Sequence, residues 1–513
     1  NGNVICRSDI DPTPPPSTPF NIPRFNELGF FTFNPGDGQC RPANILGGPG
    51  AISQDAIDFV TDTVTNRFET EQFVMSATVV GEWGETNAGP IGFAAGAELR
   101  TERSSSIFDP LVRGVLPVTT AFGNEGETLA EILSETRSQR SLVFDPGAFT
   151  RNVRGNYDVG DIFAEVNVPL LEGQTFAEEL TVDAAVRFSN YSTVGNTLTW
   201  KVGTSWAPTE DLRFRGAYSV AVRAPNIDEL FSPEQSAFFR PEDPCEQTQI
   251  DALIDAGDPR GQVRAANCAA AGIPPGFVDP LTARFVGATV GNPDLTEEEA
   301  ESITLGFVYQ PVWLDGLSLT VDYWDIVIDD AIDEPSDQDI VNNCYDSSEF
   351  PNNQFCALIR RNTDPTSAQF GGLTFLQQQQ LNIGSLEAAG VDFAARYDWP
   401  MIDSFDVSTT ISGTYMDKLD EFFDPGDPTA VDPELGELQR PELAGSIAVN
   451  VGRDQWALNW QTQYMDEQTL RDVEIETVQQ QYGPAGISDD IYIHNVNFSW
   501  DFNDSYRIYG GVN

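Results

Sequence analysis

From Leu180 to Ser189 the chain alternates strictly. Leu180, Val182, Ala184, Val186 and Phe188 hold the even positions, and Thr181, Asp183, Ala185, Arg187 and Ser189 the odd ones. That order gives a strand one apolar and one polar face. The run is about the nine to eleven residues with which a tilted strand crosses a bilayer. The pattern recurs and predicts fourteen strands, at 72–80, 90–101, 159–169, 179–190, 197–207, 211–222, 302–311, 316–328, 386–399, 404–416, 441–451, 455–466, 490–501 and 505–513. Leu198, Trp200, Val202 and Trp206 oppose Thr199, Lys201, Gly203 and Ser205, and Trp456, Leu458, Trp460 and Tyr464 oppose Asn459, Gln461 and Gln463. Lipid outside a closed barrel and water inside it would impose this alternation on every strand.

The links between these strands alternate too. Short links such as Pro208-Thr209-Glu210 take turns with long ones, the link after 190 being the one short member of the long class. In an antiparallel sheet this puts tight turns at one end and large loops at the other. Residues 51–68 read as a short helix with Ile52, Ile57, Val60 and Val64 on one side. All six cysteines, Cys6, Cys40, Cys245, Cys268, Cys344 and Cys356, fall in the long-loop class as three local pairs. An even count at local spacing predicts three disulfides in an oxidising compartment, buried free thiols being the alternative.

Composition narrows the class. A chain of 513 residues exceeds one ordinary soluble core of roughly 250–300 residues. Its mean hydropathy of -0.27 and the lack of a long apolar run exclude a helical membrane protein. With 79 acidic against 28 basic residues the formal charge is -51. Nucleic acid is thereby excluded as a partner, because neutralising phosphates takes Lys and Arg. The charge suits solvated loops, or loops that attract cations.

Catalytic and metal signatures are absent: there is no CxxC, HExxH, GxSxG or phosphate-cradling glycine loop. The single His494 shares a face with Tyr492, Val496 and Phe498 and reads as a membrane-rim aromatic rather than a base. The runs Asp329-Asp330…Asp333-Glu334 and Asp424…Asp427…Asp432 read as solvated loop, a hard-cation site being the alternative. Trp206, Tyr309, Trp399, Trp456 and Trp500 all fall beside short links, as an interfacial girdle requires. No enzyme, cofactor or metal is expected.

The segment Phe214 to Phe231, with Arg223-Ala224-Pro225-Asn226 and Glu229-Leu230-Phe231, resembles the barrel motif of TonB-dependent outer-membrane receptors. Gly291-Asn292-Pro293-Asp294-Leu295 with Glu299 and Thr304-Leu305-Gly306 is similar to the same family, as are Leu319–Trp324 and Asn382-Ile383-Gly384 with Glu387 and Gly390-Val391-Asp392. The terminal Tyr509-Gly510-Gly511-Val512-Asn513 resembles a stretch near the family's C-terminus. The matches cover about 160–513; residues 1–158 match in pattern only.

Physically, Pro225 ends a strand, Asn226 and Asp228 suit a turn leaving the rim, Glu229, Leu230 and Phe231 suit a loop anchor, and Arg223 with Glu229 suits a rim ion pair. The resemblance implies an all-β, antiparallel transmembrane β-barrel of 22 strands with long extracellular loops, an N-terminal plug and a TonB box. Against that pattern the chain reads as a truncated piece: 1–71 an extracellular loop region with a short helix, and 72–513 a partial barrel of strands about 8 to 21, without plug or TonB box. The implied setting is the outer membrane of a Gram-negative bacterium, with outer-membrane lipid, lipopolysaccharide and TonB as partners. The implied cargo is a scarce bulky solute such as a siderophore, cobalamin or a glycan, taken up by an energised route through outer surface supplied by loops 102–157, 223–300 and 329–384. The alternatives are a passive porin-like or adhesive barrel, and a secreted soluble β-protein.

Overall fold

The computed structural model describes residues 5–6, 10, 38, 40–110, 112–113, 150–281, 283–402, 404–422, 431–470, 483–503 and 505–513. Its strands are β1 (Arg67–Thr86), β2 (Gly89–Ile107), β3 (Val153–Gln174), β4 (Ala177–Tyr191), β5 (Gly195–Thr209), β6 (Leu212–Arg223), β7 (Gln235–Phe239), β8 (Phe285–Val290), β9 (Glu298–Tyr309), β10 (Leu317–Asp329), β11 (Ile332–Asp333) and β12 (Ile359–Arg361). There follow β13 (Leu373–Gln379), β14 (Leu381–Asn382), β15 (Ser385–Ile402), β16 (Phe405–Phe422), β17 (Val431–Pro433), β18 (Leu443–Arg453), β19 (Trp456–Met465), β20 (Gln468–Thr469), β21 (Ile487–Ser488), β22 (Ile491–Asn503) and β23 (Tyr506–Val512). The helices are α1 (Gln54–Val60), α2 (Ile227–Phe231), α3 (Gln247–Ala256), α4 (Arg260–Ala270) and α5 (Asp337–Asp346).

One sheet runs β1-β2-β3-β4-β5-β6-β9-β10-β15-β16-β18-β19-β22-β23, with β17 added beside β16. These are the fourteen expected strands, every described pair of neighbours antiparallel. Most run past the expected ends, β1 to 20 residues and β3 to 22. The outer ends lack alternation, as in Glu298-Glu299-Ala300-Glu301. Backbone ladder bonds prolong a strand where no two-sided environment imposes a pattern, so periodicity alone underestimates its length.

The register keeps the two faces apart across the sheet. Val168, Val182, Thr204, Gly216, Leu305, Tyr323, Val391, Tyr415 and Leu443 form one row over nine strands. The adjacent row on the other face reads Thr181, Ser205, Arg215, Gly306, Asp322, Asp392 and Thr414. A slip of one residue in any strand would exchange the faces. Val186, Phe188, Leu198, Trp200, Val202, Ile303, Leu305, Ile447 and Trp460 are exposed on the apolar face.

Rings gather beside the short turns. Trp206 stacks on Phe214 at 5.6 Å, Tyr397 meets Trp399 at 4.7 Å, Phe405 meets Trp456 at 5.5 Å, and Trp500 meets Phe502 at 5.3 Å. At the same end Trp313 donates to the Tyr309 hydroxyl at 3.2 Å.

The chain divides into two compact units. The larger comprises Thr70–Ser104, Gly155–Ser232 and Phe239–Asn513, and the smaller Asn1–Glu69, Ser105–Arg154 and Pro233–Phe238. Within the smaller unit Cys6 is bonded to Cys40, Phe68 packs edge-on against Phe108 at 5.5 Å, and Arg151 pairs with Glu234 at 3.0 Å. The helix expected over 51–68 spans only Gln54–Val60. Ser53 caps it, and it ends at Thr61 in extended backbone. β-branched Thr63, Val64 and Thr65 then disfavour helix and lead into β1. Its buried residue is Ala56, while Ile52, Ile57 and Val60 are exposed.

Candidate functional site

β6 leaves the sheet at Arg223, and the next residues tie its exit. Ala224 is half-buried and Pro225 fully buried. Asn226 Oδ1 accepts from the backbone N–H groups of Asp228 and Glu229, both at 2.9 Å, and Glu229 accepts from the Asn226 N–H at 2.7 Å. This reciprocal cap starts α2, so the segment read as a turn is one helical turn.

Arg223 Nη1 donates to both Glu229 oxygens, at 2.9 and 3.0 Å, and Nη2 to Glu298 Oε1 at 2.8 Å. Glu298 Oε1 also accepts the Ile332 N–H at 2.6 Å. One guanidinium thus gathers β6, α2 and β9, and through Glu298 reaches β11. Leu230 is buried with Tyr157, Val159, Ile227 and Leu295, and Phe231 packs against that cluster. A Cβ on Gly155 would overlap the Phe231 ring, and one on Gly291 the backbone of Leu230 and Ser232.

Asn292 and Asn382 complete the junction. The Asn292 N–H donates to Glu229 O at 2.7 Å, and its Nδ2 to Gln380 O at 2.9 Å. Asn382 accepts the Thr296 N–H at 2.9 Å and donates to Asp330 O at 2.7 Å. Three of the sequence stretches singled out above therefore meet at one point, where two long connections leave the sheet.

Those connections are themselves folded. α3, α4 and β8 come from the first, and α5, β12 and β13 from the second. Cys245–Cys268 and Cys344–Cys356 are bonded, each within its own connection. Arg361 Nη1 and Nη2 reach Asp243 Oδ2 and Oδ1 at 2.5 and 2.7 Å, with the Asp243 side chain fully buried and Arg361 nearly so. Arg264 forms a second buried pair with Asp346. The Arg361 guanidinium lies over the Tyr345 ring at 4.8 Å and donates to its hydroxyl. Burial pushes the Tyr345 phenol above its usual range, against the pull of Arg361.

The polar face of the sheet changes character along its width. From β3 to β10 it carries cross-strand ion pairs: Arg187–Asp161 at 2.6 Å, Lys201–Asp183 at 3.2 Å, Arg213–Glu179 at 2.6 Å and Arg215–Asp322 at 2.6 Å. From β16 to β22 an amide ladder replaces them. Asn450 donates to Ser408 at 3.3 Å, Asn459 to Asn450 at 2.7 Å, and Asn497 to Asn459 at 3.5 Å. The ladder lines a cavity of about 870 Å³ together with Arg396, Asp398 and Tyr509.

Gly306 separates Arg215 from Asp322, and a Cβ there would overlap Asp322 Oδ1. The Gly306→Val variant is expected to displace this pair and lower the urea stability of the wall by about 1–3 kcal/mol. Val at Gly510, where a Cβ meets nothing, is the control.

Glu421 lies in the outer extension of β16, beyond the bilayer-crossing length, where β17 pairs with it. Burial, reinforced by Asp333, Asp432 and Asp339 against Arg440, pushes its pKa up to about 7. The folded state therefore holds this proton more tightly than the unfolded chain does. The resulting stability is full below the ordinary carboxylate range and is lost as pH rises through about 7. Hydrogen exchange around β17 should quicken between pH 5 and 7.5 once corrected for intrinsic rates, and Glu421→Gln should flatten that dependence.

His494 Nδ1 lies 2.8 Å from Thr462 Oγ1, among exposed Tyr492, Val496 and Phe498. No cluster of His, Cys, Asp or Glu able to hold a metal occurs among the described residues. Asp424 and Asp427 lie outside the described residues, as does most of loop 102–157, while Asp432 is in β17. Asn292, Glu298, Asn382, Asp243 and Arg361 are among the site residues that the sequence does not single out for a role. The two asparagines lay within quoted motifs, whereas nothing local marks Asp243 or Arg361.

A family model described as TonB dependent receptor-like, beta-barrel matches residues 11–513. No curated protein matches the chain in sequence. Among solved structures, the chain is similar to a mutant of the ferric enterobactin receptor PfeA from Pseudomonas aeruginosa in complex with enterobactin. That likeness has 12% identity and a TM-score of 0.51, over 86% of this chain and 48% of that one. A second PfeA mutant with enterobactin matches at 13% identity and a TM-score of 0.50, over 87% and 48%. The siderophore receptor PirA from Acinetobacter baumannii matches at 14% identity and a TM-score of 0.48, over 87% and 50%. The chain spans about half the length of these structures.

Proposed function

Because the chain belongs to the TonB-dependent receptor-like β-barrel family, we propose that it forms wall and outer mouth of a Gram-negative outer-membrane receptor that takes up a scarce, bulky solute, with energy delivered through TonB. The observation that carries this reading is the two-faced sheet. Its exposed apolar rows suit lipid, its opposite face is laced with ion pairs and amides, and aromatic rings line the end that carries the short turns. The disulfide-bonded loops at the other end suit an oxidised exterior. The solute meets these loops first. Arg223, Ala224, Pro225, Asn226, Glu229, Leu230 and Phe231 serve in this reading as the brace that holds the loops, not as solute contacts.

The solute class is a siderophore, cobalamin, a glycan or a similar molecule too large to diffuse through a narrow pore. The PfeA neighbours hold enterobactin, which makes its ferric complex the first probe. Cells carrying the full-length receptor, with or without TonB, would be tested for accumulation of iron-labelled enterobactin, cyanocobalamin and maltohexaose. Energised uptake predicts accumulation of at least one that collapses without TonB. Equal accumulation in both strains, or steady ion conductance by the purified protein in planar bilayers, would establish the passive alternative.

A further inference from the structure

Two long connections, 239–297 and 330–384, are cross-linked to each other at several separate points. β8 pairs with β13 in parallel, Gln377 opposite Ala288 and Gln379 opposite Val290. The buried pairs Arg361–Asp243 and Arg264–Asp346 both run from one connection to the other. Asn267 Nδ2 donates to the carbonyls of Tyr345 and Ser347 at 2.8 and 2.9 Å, and the Glu242 N–H donates to Gln338 at 2.8 Å. Ile340, Val341, Leu376 and Cys344 are fully buried.

The points of departure from the sheet are braced as well. Arg223 and Glu298 clamp one pair of strand ends, and Asn382 ties Thr296 to Asp330. The Ile383 N–H donates to Ala331 O at 2.7 Å, and the Asp330 N–H to Gly384 O at 3.1 Å. A loop that swings needs residues free to change backbone angles at its ends, and here those residues are held.

We infer that the two connections are a single fixed canopy rather than two separately moving gates, so that solute passes its margin instead of parting it. The inference goes beyond the transport reading and is tested without any solute, so either can fail alone.

Hydrogen exchange on the full-length receptor in detergent micelles reads it out. In the Asp243→Asn variant, peptides from Arg260–Ala270, Asp337–Asp346 and Leu373–Gln379 should all exchange about 100-fold faster, with β4 and β5 unchanged. Faster exchange confined to 239–290 would overturn the single-body view. Should that variant not fold, Ala288→Cys with Gln377→Cys places a bridge across β8 and β13. The bridge should form and leave canopy exchange within about twofold of wild type. A bridge that fails to form, or one that slows exchange of the canopy more than tenfold, would show that the strands ordinarily separate.

Discussion

Val186→Lys should largely abolish membrane assembly of the receptor, whereas Ala185→Lys should assemble close to wild type. Val186 is exposed on the apolar face, opposite Trp200 and Ala164 in register. Ala185 stands on the polar face between Glu165 and Lys201. Leu180, in register with belt residue Trp206, lies six positions nearer the turns. At about 3.3 Å per residue and a tilt near 40°, Val186 is roughly 15 Å from the belt, close to the bilayer midplane. Lys there costs about 2–4 kcal/mol. Heat-modifiable mobility of the outer-membrane fraction on gels reports the folded share. Equal loss at both positions would refute the assignment of faces.

Asp243→Ala should cost more, about 3–5 kcal/mol, confined to the canopy. Asp243 is fully buried against Arg361, and its removal strands a guanidinium already opposed by desolvation. Arg264–Asp346 and the disulfides remain, so the expected result is local opening with an intact wall. Limited trypsin digestion should then cut within 239–290 or 330–384, leaving the sheet strands resistant. Asp398→Ala removes a pair exposed on both sides and should change stability by less than about 1 kcal/mol. A protease pattern like the wild type's in Asp243→Ala would show that the buried pair does not hold the canopy.

How much of this was legible in the sequence follows from where each constraint originates. Val182 and Asp183 betray their faces because a two-sided environment acts on every residue of the strand, so all fourteen elements could be read from alternation. Past the bilayer that pressure ends, and the outer parts of β9 and β16 were missed. The helix at 54–60 was overextended because Val64 fits a helical face as well as it fits the β-branched run it belongs to. The canopy escaped because its partners are remote: Asp243 and Arg361 stand 118 residues apart, and neither carries a local signature. Arg223 and Glu229 were visible as an anchor, but Glu298, which carries the clamp to the second connection, looked like one more carboxylate in an acidic run.

The bridges Cys245–Cys268 and Cys344–Cys356 close spans of 23 and 12 residues. Each is completed from its own stretch of chain, at a loop-closure cost that grows only slowly with span. Oxidation therefore requires no prior pairing of the strands, and both staples can be set before the sheet assembles. On the proposed outer-membrane reading, insertion would then carry half-built loops across, and assembly would depend on an oxidant acting before it.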